Sequence, residues 1–499
     1  MRASRLLPIA GVLLAGYLFL CWLAIRSGLQ SMDSYGIILS VNDHLRTGTY
    51  GMSRPPGHPL TEYWLLPAVA FLSGRGELTP IAYGCFQLAG GICCLGAFWL
   101  LTLELPLSPV RRLLAVGCLA FSPYFLIESS DGEEFLWATF FLLAAVLLVT
   151  RLSKGSFAHP RLGWGLAVAS AVAASGCRVE FGSVALAVVL WTLFFSDRRR
   201  IERASFVGLA FFLLALLWLP LLAGKGAQQP YPIPYETKVR LGIGVYKIVF
   251  QAVGLIPSIF ASVFVLRSWK FIRIQAPFRG DLLPFWMVWL LLIFFGSFFL
   301  YPTKPAMVMP GVAFLILLGA LVARPWLWTC FVAGCLSMQL FQIDFFKERV
   351  WTGPVLKPSV AEQNFRSRPA FKGPWVEAAS RDALLGKHVV ITDVWPWDFT
   401  WQLEHGAWSG RPLPESKYQG LIIAYQIGPG IVASRTLSDQ SGRIVRYLNE
   451  GYDVWIDRTL YRELFLRYDL AAQTPTTGDI GGSPCRLMDI RPGPEDQRP

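Results

Sequence analysis

Charge is scarce in this chain: Asp, Glu, Lys and Arg make up 16% of its 499 residues, against about 25% in soluble domains. That excludes a wholly soluble globule. Histidine is rarer still, with five residues. Neither His44 nor His58, with the acids near them, shows a recognised metal-ligand spacing. Nine cysteines give no disulfide framework. Cys21, Cys85, Cys93, Cys94, Cys118, Cys177, Cys330 and Cys335 lie in or beside apolar runs, and only Cys485 lies in a polar tail. The adjacent Cys93 and Cys94 read as apolar core. No basic patch is interleaved with aromatics, so nothing points to nucleic acid. There is no GxGxxG. The turn Ile427-Gly428-Pro429-Gly430 lacks the following Lys-Ser of a phosphate loop and reads as a plain turn. No internal repeat is found.

What the chain has is apolar surface. Hydrophobic residues make up 54%, aromatics 14%, and mean hydropathy is +0.45. This is the composition of a multi-span membrane protein. The net charge of +12 then reflects Lys and Arg on the cytoplasmic side. The apolar run at 6–25 spans about 20 residues, longer than the roughly 7–15 of a signal peptide. It reads as an uncleaved first span with Arg2 and Arg5 inside.

A long outer loop, 26–79, follows. Further spans are expected near 80–104, 113–127, 135–150, 205–222, 247–266, 282–300, 306–323 and 326–343, with a hairpin of two at 163–196 broken around 176–180. The total is about eleven helices. Under this threading Arg111 and Arg112, Arg151, Lys154 and Arg161, Arg198 to Arg200, Arg203, Arg267 to Arg279 and Arg324 all fall on one side, as positive-inside orientation requires. The acid-bearing loops fall on the other. Asp33, Glu128, Asp131, Glu133, Glu134, Arg178, Glu180 and Lys304 then share the outer face. The expected fold class is a mostly α, polytopic membrane protein with a C-terminal soluble α/β domain. The membrane part is 1–346 and the soluble part 347–499. In the latter, HVVITDV, LIIAY, YDVWI and a weaker CRLMDI read as strands, and 375–386, 437–450 and 459–468 as helices. That alternation suggests a mostly parallel sheet. An odd span count places this domain outside the cell membrane, with a disordered polar tail after Arg491.

The stretch 33–64 organises the rest. Ile37, Val41 and Leu45 repeat as on one face of a helix lying on the membrane surface. Gly48, Gly51 and Pro55-Pro56-Gly57 then force a turn. Asp33 fits an N-cap or a general base. Asp131, Glu133 and Glu134 fit a general base or metal-binding cluster, or solvated acids at a helix N-terminus. Arg178, with Glu180 two residues on, is either a functional charge or a pair that caps a turn. Lys304 either snorkels or, with Arg54 and Arg178, holds an anion.

These elements carry a resemblance. Asp33, Gly48-Thr49-Tyr50, Arg54-Pro55-Pro56 and Tyr63-Trp64 resemble the first outer loop of the GT-C superfamily of membrane glycosyltransferases. Within it, the chain is similar to dolichyl-phosphate-mannose protein mannosyltransferases and bacterial aminoarabinose transferases of lipid A. SPYFLIESSDGEEFL matches the second acidic outer loop, GCRVEF the hairpin turn with Arg, and YPTKPAMVMPGVAFLILL the late outer loop. GKHVVITDVWPW is similar to the first strand of the outer soluble domain in bacterial members. The chain departs from the pattern at Ser34, where many members have Glu, and at Met307-Val308, where Tyr is common.

The resemblance implies a polyprenyl-phosphate-linked sugar donor and an acceptor lipid, glycan or protein at the outer face. It implies that Asp33 matches the catalytic Asp; Asp131 and Glu134 are the next candidates. Arg54, Arg178 and Lys304 would hold the donor phosphate. Tyr50, His58, Glu133 and Glu180 would complete the substrate site. No metal ligand set is assigned and no cofactor is required, though a divalent metal is compatible with the acids. Two other classes fit a polytopic chain. A transporter or lipid flippase would need ionisable groups at mid-membrane, and most charges here stand at span ends. A sensor would act through the α/β tail.

Overall fold

The computed structural model describes residues 6–26, 29, 32–48, 50, 53, 57–74, 76–195, 200–223, 237–274, 283–300, 302, 304–347, 350–359, 388–392, 422–425, 453–457, 470–473 and 484–490. They fall in two compact units. One lies within Met1–Tyr231 and Glu236–Phe365, the other within Arg366–Pro499 and Pro232–Tyr235.

The first unit is a helical bundle. Its helices are α1 (Leu6–Arg26), α2 (Met32–Thr47), α3 (Leu66–Leu72), α4 (Pro80–Leu103), α5 (Pro109–Ala120), α6 (Pro123–Asp131), α7 (Phe135–Ser153), α8 (Pro160–Cys177), α9 (Val179–Phe194), α10 (Arg200–Ala223), α11 (Thr237–Tyr246), α12 (Leu255–Ile274), α13 (Leu283–Phe298), α14 (Met309–Val322) and α15 (Pro325–Ser337). π-helical turns at Pro59–Leu65 and Lys247–Ala252 and a 3-10 turn at Pro305–Val308 join them. Proline opens many of these helices, at Pro80, Pro109, Pro123, Pro160 and Pro325. The first helical position has no use for its N–H, and the fixed φ suits it. Thr79 and Ser108 add side-chain caps to Ala82 and Arg111.

Among the described residues, five helices are long and apolar enough to cross a membrane, and two bent pairs raise this to seven. Three shorter apolar helices, at Val179–Phe194, Leu283–Phe298 and Pro325–Ser337, accompany them. The chain is a polytopic membrane protein. Its centre is α7, packed against α4, α8 and α9, with α14 against α13 and α5. Leu142, Leu143, Val146, Ala167, Val168, Ala171 and Ala313 to Leu318 are buried there. The small residues of α8 let it lie close to α7.

Several expected spans take a different form. The one near 113–127 is the pair α5 and α6, bent by 58°. The one near 247–266 begins earlier and bends by 102° between Arg240–Ala252 and Leu255–Val263. Gly254 makes that bend at φ +91, beneath Met338. The span expected at 326–343 stops at Ser337. It is followed by an antiparallel hairpin of β1 (Phe341–Lys347) and β2 (Val350–Pro358). Alternating Phe, Ile and Phe in β1 imitates a continuing apolar helix in a hydropathy average.

Helix α2 forms where the Ile37–Val41 periodicity places it, but it is packed on protein. Tyr35, Ile37, Ile38 and Val41 are buried, while Leu45 is exposed. Asn42 fixes the packing by exchanging two hydrogen bonds with the Leu78 backbone, at 3.1 and 2.6 Å.

The second unit contains a five-stranded sheet of β3 (His388–Thr392), β4 (Ile422–Tyr425), β5 (Asp453–Asp457), β6 (Leu470–Gln473) and β7 (Pro484–Ile490), in the order β4-β3-β5-β7-β6. β3 pairs in parallel with β4 and β5, whereas β7 pairs antiparallel with β5 and β6. The sheet is therefore mixed. The four expected strands are present, and β6 is an addition. The helices expected at 375–386, 437–450 and 459–468, and the tail after Arg491, lie outside the described residues.

Candidate functional site

The site is built where helices break. α6 ends at Asp131 and α7 begins at Phe135, so Gly132, Glu133 and Glu134 form a tight turn. Gly132 is required there, because a Cβ would stand 2.1 Å from the Glu128 carbonyl oxygen. The Glu128 carboxylate accepts the Glu133 N–H at 3.0 Å and closes the turn. Two other elements fasten it. Tyr83 at the start of α4 donates to the Gly132 carbonyl at 2.8 Å. Ser34 at the start of α2 donates to the Asp131 and Gly132 carbonyls at 3.2 and 3.3 Å. The solvated loop expected at 128–134 is thus a buried turn: Glu128, Asp131, Glu133 and Glu134 are all buried. Burial follows from the covering by α2, α4 and the π turn, which hydropathy does not register.

The cations come from two further breaks. Arg178 separates α8 from α9 with φ −149, ψ 120. Its guanidinium stands 3.8 Å from Glu133, bonds Glu180 at 2.8 Å and lies 4.2 Å over the Phe135 ring. Its Nε is buried with no hydrogen-bond partner among the described residues. Lys304, at the N-cap of the 3-10 turn before α14, reaches the same Glu133 carboxylate with its Nζ. Lys247 in the second π turn donates to the Pro302 carbonyl at 2.9 Å and so ties down the loop that carries Lys304. One buried carboxylate therefore gathers two cations from distant parts of the chain.

The remaining polar groups come from the first loop. His58 stands at the N-cap position of the π turn Pro59–Leu65, and its side chain makes no cap hydrogen bond. Its Nδ1 is 2.6 Å from the Cys177 carbonyl and its Nε2 is 3.9 Å from Glu134. Glu62, which the sequence leaves out of the candidate set, is fully buried. Tyr50 donates to it at 2.7 Å, and the Ser53 hydroxyl also bonds it. Burial, with the Glu62 charge beside it, holds the Tyr50 phenol well above its ordinary range, so it stays a donor. His58, Glu62 and Glu134 each offer a ligand atom within 4.8 Å of the others. No metal set is legible in sequence because Glu134 belongs to a different helix break. The His58, Glu62 spacing of four was the available signal. Tyr63 stacks near His44, Tyr50 and Trp64, with centroids 4.9 to 5.5 Å apart, as an aromatic shelf beside the acids.

Asp33 lies in the first turn of α2, next to Ser34 and hence next to the acid turn. Its side chain, and Arg54, lie outside the described residues. Of the other candidates, Tyr50, His58, Asp131, Glu133, Glu134, Arg178, Glu180 and Lys304 belong to this one region of helix breaks.

The helical membrane bundle, with buried acids and cations collected at its broken helix ends, shares its fold with solved membrane-protein structures. ArnT from Cupriavidus metallidurans bound to undecaprenyl phosphate matches 98% of this chain and 98% of its own, with TM-score 0.57 and 10% identity. The same protein in the apo state matches with TM-score 0.46 and 9% identity, over 97% and 98% of the two chains. The Archaeoglobus fulgidus oligosaccharyltransferase in complex with Zn and sulfate matches with TM-score 0.46 and 13% identity, over 96% of this chain and 73% of that one. No protein-family model and no curated protein sequence matches.

Proposed function

We propose that the chain is a membrane glycosyltransferase that moves a sugar from a polyprenyl-phosphate donor to an acceptor hydroxyl at the outer face of the cell membrane. The observation that carries this is the convergence of Arg178 and Lys304 on Glu133, beside the acid turn, within a GT-C fold. Arg178 and Lys304 would take a phosphate by exchanging it for part of their contact with Glu133, and Arg adds bidentate geometry suited to phosphate. ArnT, a structural neighbour, was crystallised with undecaprenyl phosphate.

The chemistry needs one base and one stabilised leaving group. Asp33 or Asp131 takes the acceptor proton while the acceptor oxygen attacks the sugar C1. The C1–O bond to phosphate breaks, and its electron pair leaves with the lipid phosphate. Arg178, Lys304 and Arg54 stabilise that growing charge. Direct displacement inverts the anomeric centre. Retention would require a second nucleophile.

Full-length protein in lipid nanodiscs, given a panel of polyprenyl-phosphate sugars, should release free polyprenyl phosphate in step with glycosylated acceptor. Binding of those lipids without turnover across a broad acceptor panel, or counterflow without covalent change, would overturn the proposal.

A further inference from the structure

We propose that Cys118, Cys335 and Met338 form a binding site for one soft monovalent metal ion, best matched by Cu⁺. The inference is independent of glycosyl transfer, and either can fail alone.

The three residues meet where three elements end or bend. Cys118 stands near the end of α5, just before the bend into α6. Cys335 stands near the end of α15, and Met338 is the residue that closes that helix. In Cys335-Leu336-Ser337-Met338 the two sulfur residues are three positions apart, the spacing of neighbours on one helix face. The third element is the bend at Gly254. A Cβ there would stand 2.3 Å from the Met338 Sδ, so the bare glycine seats that sulfur. Gln339 donates to the Phe121 carbonyl and fastens the end of α15 to the end of α5.

These elements enclose a cavity. All three sulfur residues line it, with Ser122, Val253 and Phe331 among the other walls. The Cys118 and Cys335 side chains are in hydrogen-bond contact. Cys118 and Met338 are 1% and 5% exposed, and Cys335 is half-buried. The enclosed space is about 10 Å³, room for one small sphere. Water suits it poorly. A buried water makes about three hydrogen bonds, and among the described residues Ser122 has the only oxygen-bearing side chain in the wall. Left empty, the space forfeits dispersion contacts on every side. A single sulfur-seeking ion fills it.

The donor set selects the ion. Thiolate and thioether are soft ligands, and together they favour Cu⁺. Closed zinc sites take four ligands, and this wall has no His or carboxylate to supply the fourth. Calcium and magnesium require oxygen. Charge agrees with the choice. Cu⁺ takes the place of the proton in the contact between the two thiols. One S–H bond breaks, one Cu–thiolate bond forms, the proton leaves to water and no electron moves. The other thiol and Met338 donate sulfur lone pairs and add no charge. The product is neutral, so its apolar walls enclose no net charge.

The test uses the full chain in detergent, reduced with a phosphine and titrated with Cu⁺ against a chromogenic Cu⁺ chelator. One equivalent should resist the chelator, and X-ray absorption should show sulfur neighbours alone. Met338→Leu conserves volume, a swap that cores tolerate. Loss of an outer partner of a metal ligand already costs about 10–100-fold in affinity, so loss of this ligand should weaken binding by at least about 10-fold and lower the sulfur count. Cys335→Ser should abolish chelator-resistant binding at an unchanged elution volume. Cys93→Ser, at the adjacent cysteine pair on α4, should change nothing. If Cys335→Ser does not fold, Met338→Leu and the wild-type spectrum still decide. No chelator-resistant copper, nitrogen or oxygen neighbours in the spectrum, wild-type affinity in Met338→Leu or in folded Cys335→Ser, or loss of copper in Cys93→Ser would each overturn the site.

Discussion

At Ser34 the chain departs from the pattern it resembles, and the structure gives the reason. The side chain is fully buried and its hydroxyl donates to two carbonyls of the acid turn. A Glu there would press an ionised carboxylate against two acceptors, which costs several kcal/mol when unpaired. The second acid of the usual pair is thus replaced by a donor, and the neighbouring turn supplies the acids instead. In the proposed mechanism Asp33 is the base. Asp33→Asn keeps the size and N-cap ability, since Asn and Asp cap about equally. The rate should fall about 10²–10⁴-fold with unchanged melting. Near-normal turnover would move the role to Asp131. Arg178→Lys keeps a charge but loses the fork that spans Glu133 and Glu180. The expected result is a donor KM raised about 10-fold or more, the equivalent of one charge-assisted hydrogen bond. An unchanged KM would show that Arg178 serves only to cap α9. The identities of these residues were legible because ionisable groups are conspicuous in apolar sequence. Glu62 is less legible, because its partners Tyr50 and Ser53 stand 12 and 9 residues before it, a separation that spacing does not translate into contact.

At the scale of elements, hydropathy and Pro positions mark most helices, since apolar length and a missing N–H are local properties. They do not reveal how a helix ends. The Glu128-to-Glu134 stretch has the composition of a solvated loop, yet it is buried. Three distant elements cover it, and its N–H and carbonyl groups are met by Glu128, Ser34 and Tyr83. Gly132 is the hinge of this arrangement. Gly132→Ala would place a methyl 2.1 Å from the Glu128 carbonyl oxygen. Backbone must move to admit it, so a destabilisation of about 1–3 kcal/mol is expected. Donor binding should be lost with it, because Glu133 would no longer present one carboxylate to both cations. A Gly132→Ala protein with wild-type melting and donor affinity would show that the turn tolerates another shape. By contrast, Gly96 on α4 has open space around its Cβ position, and Gly96→Ala should be silent or slightly stabilising in the same assays.

For the whole molecule, the remaining question is which end of the bundle faces out. One end carries the basic residues, and the contacts there join helix ends in the expected way. Arg151 and Lys154 at the end of α7 bond Glu104 at the end of α4, at 2.8 and 3.5 Å. Arg161 at the start of α8 bonds Glu202 at the start of α10 at 3.0 Å. Arg111 near the start of α5 donates to the carbonyls of Ala320 and Ala323 at the end of α14, at 2.8 and 2.9 Å. Glu104 and Glu202 are a correction to the expectation that acids gather only at the opposite end. Here they are paired, and the excess at this end is still basic. We propose that this end is cytoplasmic, because net Lys and Arg in short loops favour that side. The acid turn, Arg178 and Lys304 belong to the other ends of α7, α8 and α14, and so would face out. The odd span count expected from the sequence, with Arg2 and Arg5 inside, would carry the C-terminal unit across to the outside. A phosphatase reporter fused after Asp457 should be active and a cytoplasmic reporter at the same point silent. Substituted cysteines at Arg161 and at Glu180, both partly or well exposed, should label from opposite sides of sealed vesicles. Labelling of both from one side would break the two-ended arrangement. A silent phosphatase with opposite labelling would keep the acid-turn end outside and move only the sheet to the cytoplasm.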